Sequence, residues 1–439
     1  MTDWLRKSLS LLTAAMLVTG LAACGGENKQ SDNGKGEAGQ GEKVELRVGV
    51  MDSPGESENV EAVAKVFMEK NKNVTVKVEP IIGDFRAKIL AQAASGDLPD
   101  VVWLADAWVR EFANAGVLAS LDGYMDESGV DRNDINQAML GLGKVDDKQY
   151  MLPRDYNHMV TFVNKTMLEQ EGLSVPENGW SWDDFMKNYA EKLTKKDGAG
   201  KTTQFALDAL SIWPPIWSAF ALGHGGEYAN ISNKKLTFSD EKVTAGLKDL
   251  YDGIKSGYIT DPNGQYPENM FNAGKAAFRF GVKPTTAEIN EAAKAKGFDW
   301  EVVTFPKLPS AHVVGGGTSG YGVFAKSKHL EEAGAFVSMF VTPEGQKAFG
   351  TTGNSVPVLK SLADDTTWRN NPVEGKNMDA FILYPEADVL SIIDTQLPIE
   401  LIQDTNNGVV DAMNKYLLGK ASLEDAMQSL DEKINSKWK

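Results

Sequence analysis

Two recurring patterns of apolar and polar positions follow one another after residue 43. Val44–Val50 alternates in the manner of a half-buried strand, and Asp100–Ala105 is nearly continuous in apolar residues, as a buried parallel strand would be. Between them, Asn59–Asn71 and Phe85–Ser95 place apolar residues at helical spacing. Strands that alternate with helices predict a βαβ lobe with a mainly parallel sheet.

The same patterns predict the elements of the later part of the chain. Strands are expected at Met159–Val163, Gly274–Gly281 and Phe298–Phe305. Helices are expected at Asp240–Gly257 and Glu268–Ala273, and the tail from Pro385 to Trp438 is expected to be mostly helical.

A polar corner separates two strand-like pieces in the middle of the chain. Pro153 favours extended backbone, and the next five residues, 154–158, are all polar or half-polar. Two strands joined through such a corner are typical of a crossover between two lobes, where ligand sites are favoured. An ordinary surface turn between two strands would give the same pattern.

In parallel sheets, ligands bind beyond the carboxyl ends of the strands. The residues at those ends here are Asp52–Glu56 and Asp106–Trp108. The carboxylates of Asp52 and Asp106 would accept hydrogen bonds from hydroxyl groups, and Trp108 would stack on an apolar ligand face. Each aspartate is explained equally well as a helix N-cap, and Trp108 as a core residue.

Trp213 and Trp217 are four residues apart, which places them on one face of a helix that starts at two prolines. The pair would form a stacking wall for a ligand, or else part of the core. Arg279 and Lys283 would meet a ligand oxygen, although a solvated charge is the simpler explanation for each. The glycine-rich run 315–322 lacks the Lys-Ser/Thr pair of a phosphate loop and instead allows close backbone approach at a cleft edge.

The N-terminus has the pattern of a targeting signal rather than of a folded element. A short basic region with Arg6 and Lys7 precedes the mostly apolar run Leu9–Leu21, which ends in Leu-Ala-Ala-Cys24. This pattern resembles a bacterial lipoprotein signal, in which the cysteine is lipidated and becomes the mature N-terminus. Residues 1–24 are therefore expected to be a signal peptide, and the polar residues 25–43 a flexible tether.

Composition removes several classes of function. The chain has 439 residues, which is enough for two or three domains or one large bilobal unit. Its net charge of −16 argues against nucleic acid and against a general anionic membrane surface. Cys24 is the only cysteine, so no intramolecular disulfide is expected. His224 has no nearby cysteine or partner histidine, and no metal site is expected. No cofactor motif is present.

Several motifs in the same order identify a resemblance. The chain resembles the family 1 extracellular solute-binding proteins of ABC importers, the sugar-binding lipoprotein group, from residue 44 to the C-terminus. The motifs that carry the resemblance are Ser95–Val101, Lys148–Pro153, Phe162–Lys165, Gly172–Pro176, Trp182–Asp184, Phe271–Phe278, Gly320–Ser327 and Thr342–Gln346. The chain departs at Phe280-Gly-Val-Lys283, where many relatives carry Gly-X-Trp, so one stacking tryptophan is missing.

The resemblance implies an α/β fold of two periplasmic-binding-protein-like lobes, each a mainly parallel sheet flanked by helices, with hinge crossovers between them. One lobe would comprise 44–155 and 308–355, the other 156–307 and 356–439. It also implies a monomer held outside the cytoplasm by its lipid anchor, which captures a sugar or oligosaccharide for ABC permease subunits. The ligand-binding residues that it implies are Asp52, Glu56, Asp106, Trp108, Asp155, Asn157, Trp213, Trp217, Lys283, Gly317 and Tyr321.

Two other classes of function remain open. A surface hydrolase would use paired carboxylates such as Asp106 and Asp155, although no nucleophile motif or metal cluster is visible. A ligand-sensing co-receptor for a membrane kinase would use the same cleft. The sequence leaves the solute itself open between neutral sugars, acidic uronides and other polar molecules.

Overall fold

The computed structural model of the chain describes residues 43–266, 268–310, 313–370, 372–383, 388–389 and 396–439. The expected signal peptide, with Cys24, lies outside the described residues, and so does the expected tether apart from Lys43. Residues 385–387 and 390–395 of the predicted helical tail also lie outside them. Within the described part, no helix is long and apolar enough to cross a membrane.

Thirteen α-helices of six or more residues lie in the described part of the chain. Their bounds are Pro54–Lys70, Phe85–Ser95, Asp106–Asn114, Asp122–Glu127, Gln137–Leu142, Lys165–Gln170, Pro214–Leu222, Glu241–Lys255, Thr285–Lys296, Leu330–Met339, Pro343–Phe349, Ile399–Leu417 and Leu423–Asn435. Shorter helical turns are Trp182–Asp184, Glu191–Leu193 and Thr366–Arg369, with a π-helix at Phe185–Ala190 and 3₁₀ turns at Gly350–Thr352, Lys360–Leu362 and Met378–Phe381.

The first sheet is the centre of what is here called the first lobe. Its five strands lie in the order Val74–Ile81, Val44–Met51, Val101–Ala105, Ser319–Val323 and Leu152–Pro153. The first three are parallel to one another. Ser319–Val323 comes much later in the chain than the first three strands, and it is antiparallel to both of its neighbours.

The second sheet is the centre of the second lobe. Its five strands lie in the order Trp300–Thr304, Val160–Asn164, Ala276–Gly281, Thr202–Asp208 and Lys195–Lys196. Only Ala276–Gly281 and Thr202–Asp208 are parallel. Two small hairpins lie outside the main sheets, formed by Lys144–Val145 with Lys148–Gln149 and by Ala229–Asn230 with Lys235–Leu236.

Both sheets are mixed, so the prediction of mainly parallel lobes is too simple. A βαβ unit makes consecutive strands parallel, but a strand that enters a lobe from the other lobe need not follow that direction. Val160–Asn164 and Ser319–Val323 are the strands that follow the two crossovers, and each is antiparallel to both neighbours.

The two crossovers between the lobes are paired with each other. Asn157–His158, on the outgoing crossover, is antiparallel to the end of Val314–Gly317, on the returning one. Asp388–Val389 is parallel to the other end of Val314–Gly317 and completes a three-stranded ribbon. The polar corner is therefore a crossover, which is one of the two alternatives that the sequence left open, and not an ordinary surface turn.

Local sequence explains several element boundaries. The Asp84 carboxylate accepts the Ala87 backbone N–H, and Gly96 adopts a left-handed conformation that ends the same helix. Ser181 forms a capping box with Asp184.

The predicted helix Asn59–Asn71 begins earlier, at Pro54, because proline is favoured in the first helical turn. The predicted helix Glu268–Ala273 is wrong, since the described residues there form turns.

Two hydrophobic cores hold the body together. One fills the first lobe and continues onto one face of the second sheet, where it includes Phe162 and Trp300. The other covers the opposite face, with Val163 and Phe278, and packs against the two C-terminal helices. Phe162 and Val163 are neighbours that point to opposite faces, as strand geometry requires.

Candidate functional site

A cavity of about 360 Å³ lies between the two sheets, and both lobes and both crossovers line it. We call it the main cavity. It is large enough for a small ligand. Its lining comprises Trp103, Ala105, Asp106 and Ala107 from the first lobe, Trp213, Pro214, Pro215, Val282 and Pro284 from the second, and Asn157 and Gly316–Ser319 from the crossovers.

Asp106 begins a helix directly after Val101–Ala105, so it lies at the carboxyl end of a parallel strand. One carboxylate oxygen accepts the Ala107 backbone N–H at 2.7 Å, and the other accepts the Thr318 backbone N–H at 3.3 Å. A Cβ atom on Gly317 would lie 2.9 Å from Oδ2 of Asp106. The absence of a side chain at Gly317 therefore allows the carboxylate to reach the returning crossover.

Two polar atoms of the lining residues lack hydrogen bonds within the described structure. They are the indole Nε1 of Trp103 and the side-chain Oδ1 of Asn157. One is a donor and the other an acceptor, and buried polar atoms are usually paired. Both atoms have almost no accessible surface, so neither is exposed to the main cavity in this structure.

Trp213 provides an aromatic surface on the opposite wall. It is the residue before the helix Pro214–Leu222, has extended backbone, and is 38% exposed. Pro214 and Pro215 have no backbone N–H, so the first two positions of this helix offer no donors to the cavity. This wall is therefore mainly apolar, whereas the first lobe and the crossovers supply the polar groups.

The main cavity carries little charge. Among the described residues that line it, Asp106 is the only one with an ionisable side chain, and no lysine or arginine is present. An anionic ligand would lack a cationic partner there. The lining favours a neutral or cationic solute.

Beside the cavity, an ionic cluster links the first lobe to both crossovers. The Arg154 guanidinium lies 2.9 Å from the Glu56 carboxylate and 3.5 Å from that of Asp155, and it donates to the Ser319 hydroxyl at 2.8 Å. The Tyr321 hydroxyl donates to Glu56. Glu56, Asp155 and Tyr321 are buried, so this cluster holds the lobe junction in place.

Burial and the neighbouring charges together shift the pKa values of the cluster. It raises the pKa of the Glu56 carboxyl, although the Arg154 charge acts in the opposite direction. Burial also acts to lower the pKa of the Arg154 guanidinium, but Asp155 and Glu56 outweigh it, so that pKa is raised. The pKa of Tyr321 is raised well above its ordinary value by burial and by the Glu56 charge.

Arg279 and Lys283 are buried, so the expectation of solvated charges is wrong. Arg279 lies on a central strand of the second sheet, donates to Asn272 at 2.9 Å and lies 3.2 Å from Glu288. Lys283 follows the same strand, and its ammonium lies 5.8 Å from the centre of the Phe381 ring. Burial lowers the pKa of Lys283 to about 7.

The structure places the predicted site residues in five different surroundings, including the packed aromatic groups that surround two of the tryptophans. Asp106, Asn157, Trp213 and Gly317 line the main cavity. Glu56, Asp155 and Tyr321 belong to the ionic cluster. Lys283 is buried between two lining residues, and Asp52 is exposed after its strand.

Two predicted tryptophans belong to packed aromatic groups. Trp108 lies 6.2 Å from Phe85 and 5.5 Å from Trp103, measured between ring centres. Trp217 is 1% exposed and packs against Tyr228 and Phe238 in the second core. Neither is among the described residues that line the main cavity.

The sequence interpretation missed several lining residues. Trp103 lies within an apolar run that indicates burial, and Thr318 lies within the glycine-rich run, so neither position carries a separate signal. Pro214 and Pro215 are recognisable as a helix start but not as a wall. Among the described residues, no group of three or more His, Cys, Asp or Glu is placed to hold a metal ion.

Comparison with known proteins gives consistent matches over most of the chain. The sequence profile of the bacterial extracellular solute-binding protein family matches residues 62–373. The chain is 24% identical to the multiple sugar-binding protein of Streptococcus mutans, over 86% of this chain and 88% of that protein. It is 25% identical to the galactooligosaccharide-binding protein of Bacillus subtilis, over 82% of each chain.

Solved structures show the same fold. An ABC substrate-binding protein from Listeria monocytogenes in complex with cycloalternan superposes with a TM-score of 0.75 at 22% identity, covering 90% of this chain and 99% of that one. The sugar-binding protein MalE from Xanthomonas citri gives a TM-score of 0.74 at 18% identity, covering 89% and 96%. These matches confirm the predicted two-lobed α/β fold.

Proposed function

The chain belongs to the bacterial extracellular solute-binding protein family, and we propose that it captures a sugar or oligosaccharide in the main cavity for an ABC importer. Membership places the protein outside the cytoplasm and in a family of binding proteins rather than of enzymes. Permease subunits in the membrane would receive the sugar from the closed, loaded form.

The observation that carries the proposal is the contrast between the two walls of the main cavity. The exposed indole of Trp213 suits the apolar C–H face of a sugar ring. The Asp106 carboxylate faces the same cavity and is suited to accept hydrogen bonds from hydroxyl groups. Sugars present both kinds of surface at once, and several relatives are named for the sugars that they bind.

Lobe closure is the proposed signal to the permease. The crossovers line the cavity, so a ligand that contacts both lobes stabilises one mutual arrangement of them. A ligand shifts such an equilibrium by its difference in affinity for the two states. The lobe bounds that we propose are 44–155 with 308–355, and 156–307 with 356–439.

We also propose that Cys24 is lipidated and that residues 25–43 tether a monomeric body to the outer face of the membrane.

A hydrolase is the less favoured alternative function. Glycoside hydrolysis needs two carboxyl groups flanking the bond. Asp106 lines the main cavity, but Asp155 is fully buried beside Arg154 and is not among the described lining residues.

A glycan panel tests the proposal. Thermal unfolding of the purified protein is followed with plant and bacterial oligosaccharides, and each mixture is analysed for cleavage products. A bound sugar at a hundred times its dissociation constant should add about 2.7 kcal/mol to the free energy of unfolding. Stabilisation without turnover supports a binding protein. Cleavage would instead favour the hydrolase, and a panel without any stabilising glycan would argue against the proposal.

A further inference from the structure

The motif Thr342–Gln346 carries part of the family resemblance, but none of its residues is among the described residues that line the main cavity. The Thr342 hydroxyl accepts the Gly345 backbone N–H at 3.2 Å and caps the helix that follows. A Cβ atom on Gly345 would lie 1.8 Å from the backbone oxygen of Met339, so only glycine allows this close approach. The motif therefore fixes the place of its last residue, Gln346.

The side chain of Gln346 is buried and hydrogen-bonded at both of its polar atoms. The residue is 4% exposed, and its side-chain nitrogen donates to the backbone oxygens of Arg154 at 2.9 Å and Phe340 at 2.5 Å. Its side-chain oxygen accepts the Val358 backbone N–H at 2.8 Å. A carboxamide has two N–H donors, so both are used here. A buried group that is bonded in this way has a well-defined position.

The bond to Arg154 connects this helix to the start of the outgoing crossover. The backbone N–H of Arg154 donates to the backbone oxygen of Ser319 at 3.0 Å, and its Nε donates to the Ser319 hydroxyl at 2.8 Å. One turn beyond Gln346, the centre of the Phe349 ring lies 5.1 Å from the guanidinium carbon of Arg154. The helix therefore holds both the main chain and the side chain of Arg154.

The start of the crossover in turn supports the polar wall of the main cavity. Ser319 and Thr318 both line that cavity. The Thr318 hydroxyl donates to the backbone oxygen of Asp155 at 2.6 Å, and the Thr318 backbone N–H donates to the Asp106 carboxylate at 3.3 Å. A continuous series of contacts thus leads from Gln346 to the carboxylate that we assign to sugar hydroxyls.

We propose that Gln346 is a positioning residue for the main cavity. It holds the start of the outgoing crossover, and through it the part of the wall that Thr318 and Ser319 form. This inference rests on the proposed function, since the position of the wall matters for binding only if the main cavity holds the solute. Gln346 itself does not contact the solute.

Hydrogen–deuterium exchange of the protein without ligand is the first test. Gln346→Met keeps the length of the side chain and removes both donors. The backbone amides of residues 154–158 and 315–319 should then exchange about fivefold faster, because the wall loses one supporting hydrogen bond. Residues 315–319 are decisive, since none of the three hydrogen bonds of the Gln346 side chain goes to them.

Gln149→Met is the matched control. The Gln149 carboxamide is also buried and donates to two backbone oxygens, those of Leu140 at 3.0 Å and Met151 at 2.5 Å, which both precede the outgoing crossover. This variant should lose a similar amount of stability in urea but leave exchange at 315–319 unchanged. An equal rise at 315–319 in both variants would indicate a general loosening of the first lobe and would overturn the proposal.

Calorimetric titration with maltotriose and galactotriose measures the consequence for binding. Gln346→Met should weaken about fivefold the binding of whichever trisaccharide the wild type binds, and Gln149→Met should leave it within about twofold. Unchanged affinity in folded Gln346→Met would overturn the inference and leave the sugar-binding function standing. If no glycan binds the wild type, the sugar-binding function fails, and the exchange comparison still decides whether Gln346 positions the wall.

Gln346→Asn keeps the test independent of the folding of Gln346→Met. It retains a carboxamide but shortens its reach by one methylene group, so it should show both effects in the same direction and to a smaller extent. Urea denaturation reports whether each variant is folded. If Gln346→Met is unfolded, Gln346→Asn decides, and wild-type exchange at 315–319 in that variant would refute the positioning role.

Discussion

Asn157 and Gly317 face each other in register across the paired crossovers, and both line the main cavity. The junction that joins the lobes is therefore also a wall of the candidate binding site. A change in the angle between the lobes would change the site at the same moment. A bound solute that contacts this wall can therefore shift the equilibrium between different arrangements of the two lobes.

The two tryptophans near the start of the helix Pro214–Leu222 should respond differently to truncation. Trp213→Ala removes an exposed cavity wall and should weaken sugar binding about tenfold, with a change in unfolding free energy below about 1 kcal/mol. Trp217→Ala empties a buried position and should cost about 3–5 kcal/mol of stability. Urea denaturation and calorimetric titration measure the two quantities. The reverse pattern would contradict the assignment.

Gly317→Ala should impair binding more than folding. The added Cβ would lie 2.9 Å from Oδ2 of Asp106, so the carboxylate must shift away from the Thr318 N–H. We expect a loss of sugar affinity of about tenfold, and a stability change of about 1 kcal/mol or less. Calorimetric titration measures the affinity.

Gly141→Ala is the matched control for Gly317→Ala. Gly141 lies on the helix Gln137–Leu142, and a Cβ there would meet no heavy atom within 4 Å. This variant should bind sugar normally and be slightly stabilised. Unchanged affinity in Gly317→Ala would show that the position of the Asp106 carboxylate does not matter for binding.

Much of the first lobe could be predicted because its signals are local. The helix Phe85–Ser95 has the bounds that its sequence predicts, since Asp84 caps its start and Gly96 ends it. The polar corner at 154–158 was compatible with a crossover and with an ordinary surface turn, and its pairing with the returning crossover distinguishes the two.

The side-chain environments of the site could not be predicted in this way. Spacing alone places Trp213 and Trp217 on one helix face, but the helix begins at Pro214, so Trp213 has extended backbone and leaves that face. Lys283 follows a strand whose neighbours come from distant parts of the chain, so its burial depends on tertiary packing. The residues next to Lys283 in the sequence do not indicate that its side chain is buried.

The ionic cluster at the lobe junction should be sensitive to loss of its cation. Arg154→Met leaves Glu56 and Asp155 buried without that partner and should lower the unfolding free energy by about 3–5 kcal/mol. Adding Glu56→Gln to this variant removes one of the unpaired charges and should restore part of the loss. Urea denaturation of both variants measures the effect, and equal stability of wild type and Arg154→Met would refute the role of the cluster.

Lys283 should make stability depend on pH above neutrality. Burial lowers its pKa to about 7 in the folded protein, whereas an unfolded lysine has a pKa of about 10.4. The unfolded state then binds more protons between these values, so the contribution of Lys283 to stability is greatest above the unfolded pKa and is lost as the pH falls towards 7.

Lys283→Met should remove this slope, which amounts to about a few kcal/mol across that range. The comparison uses urea unfolding of the variant and the wild type at several pH values between about 7 and 10. Other titrating groups are common to both proteins and cancel in the difference. Parallel pH profiles would mean that Lys283 is not held in its deprotonated form.

A crystal structure of the protein with its tightest-binding glycan tests the central claim most directly. The account predicts an intact glycan in the main cavity, with a ring against Trp213, a hydroxyl donating to Asp106, and contacts to both lobes. A glycan bound at a surface of one lobe alone, or a cleaved product in the cavity, would contradict it.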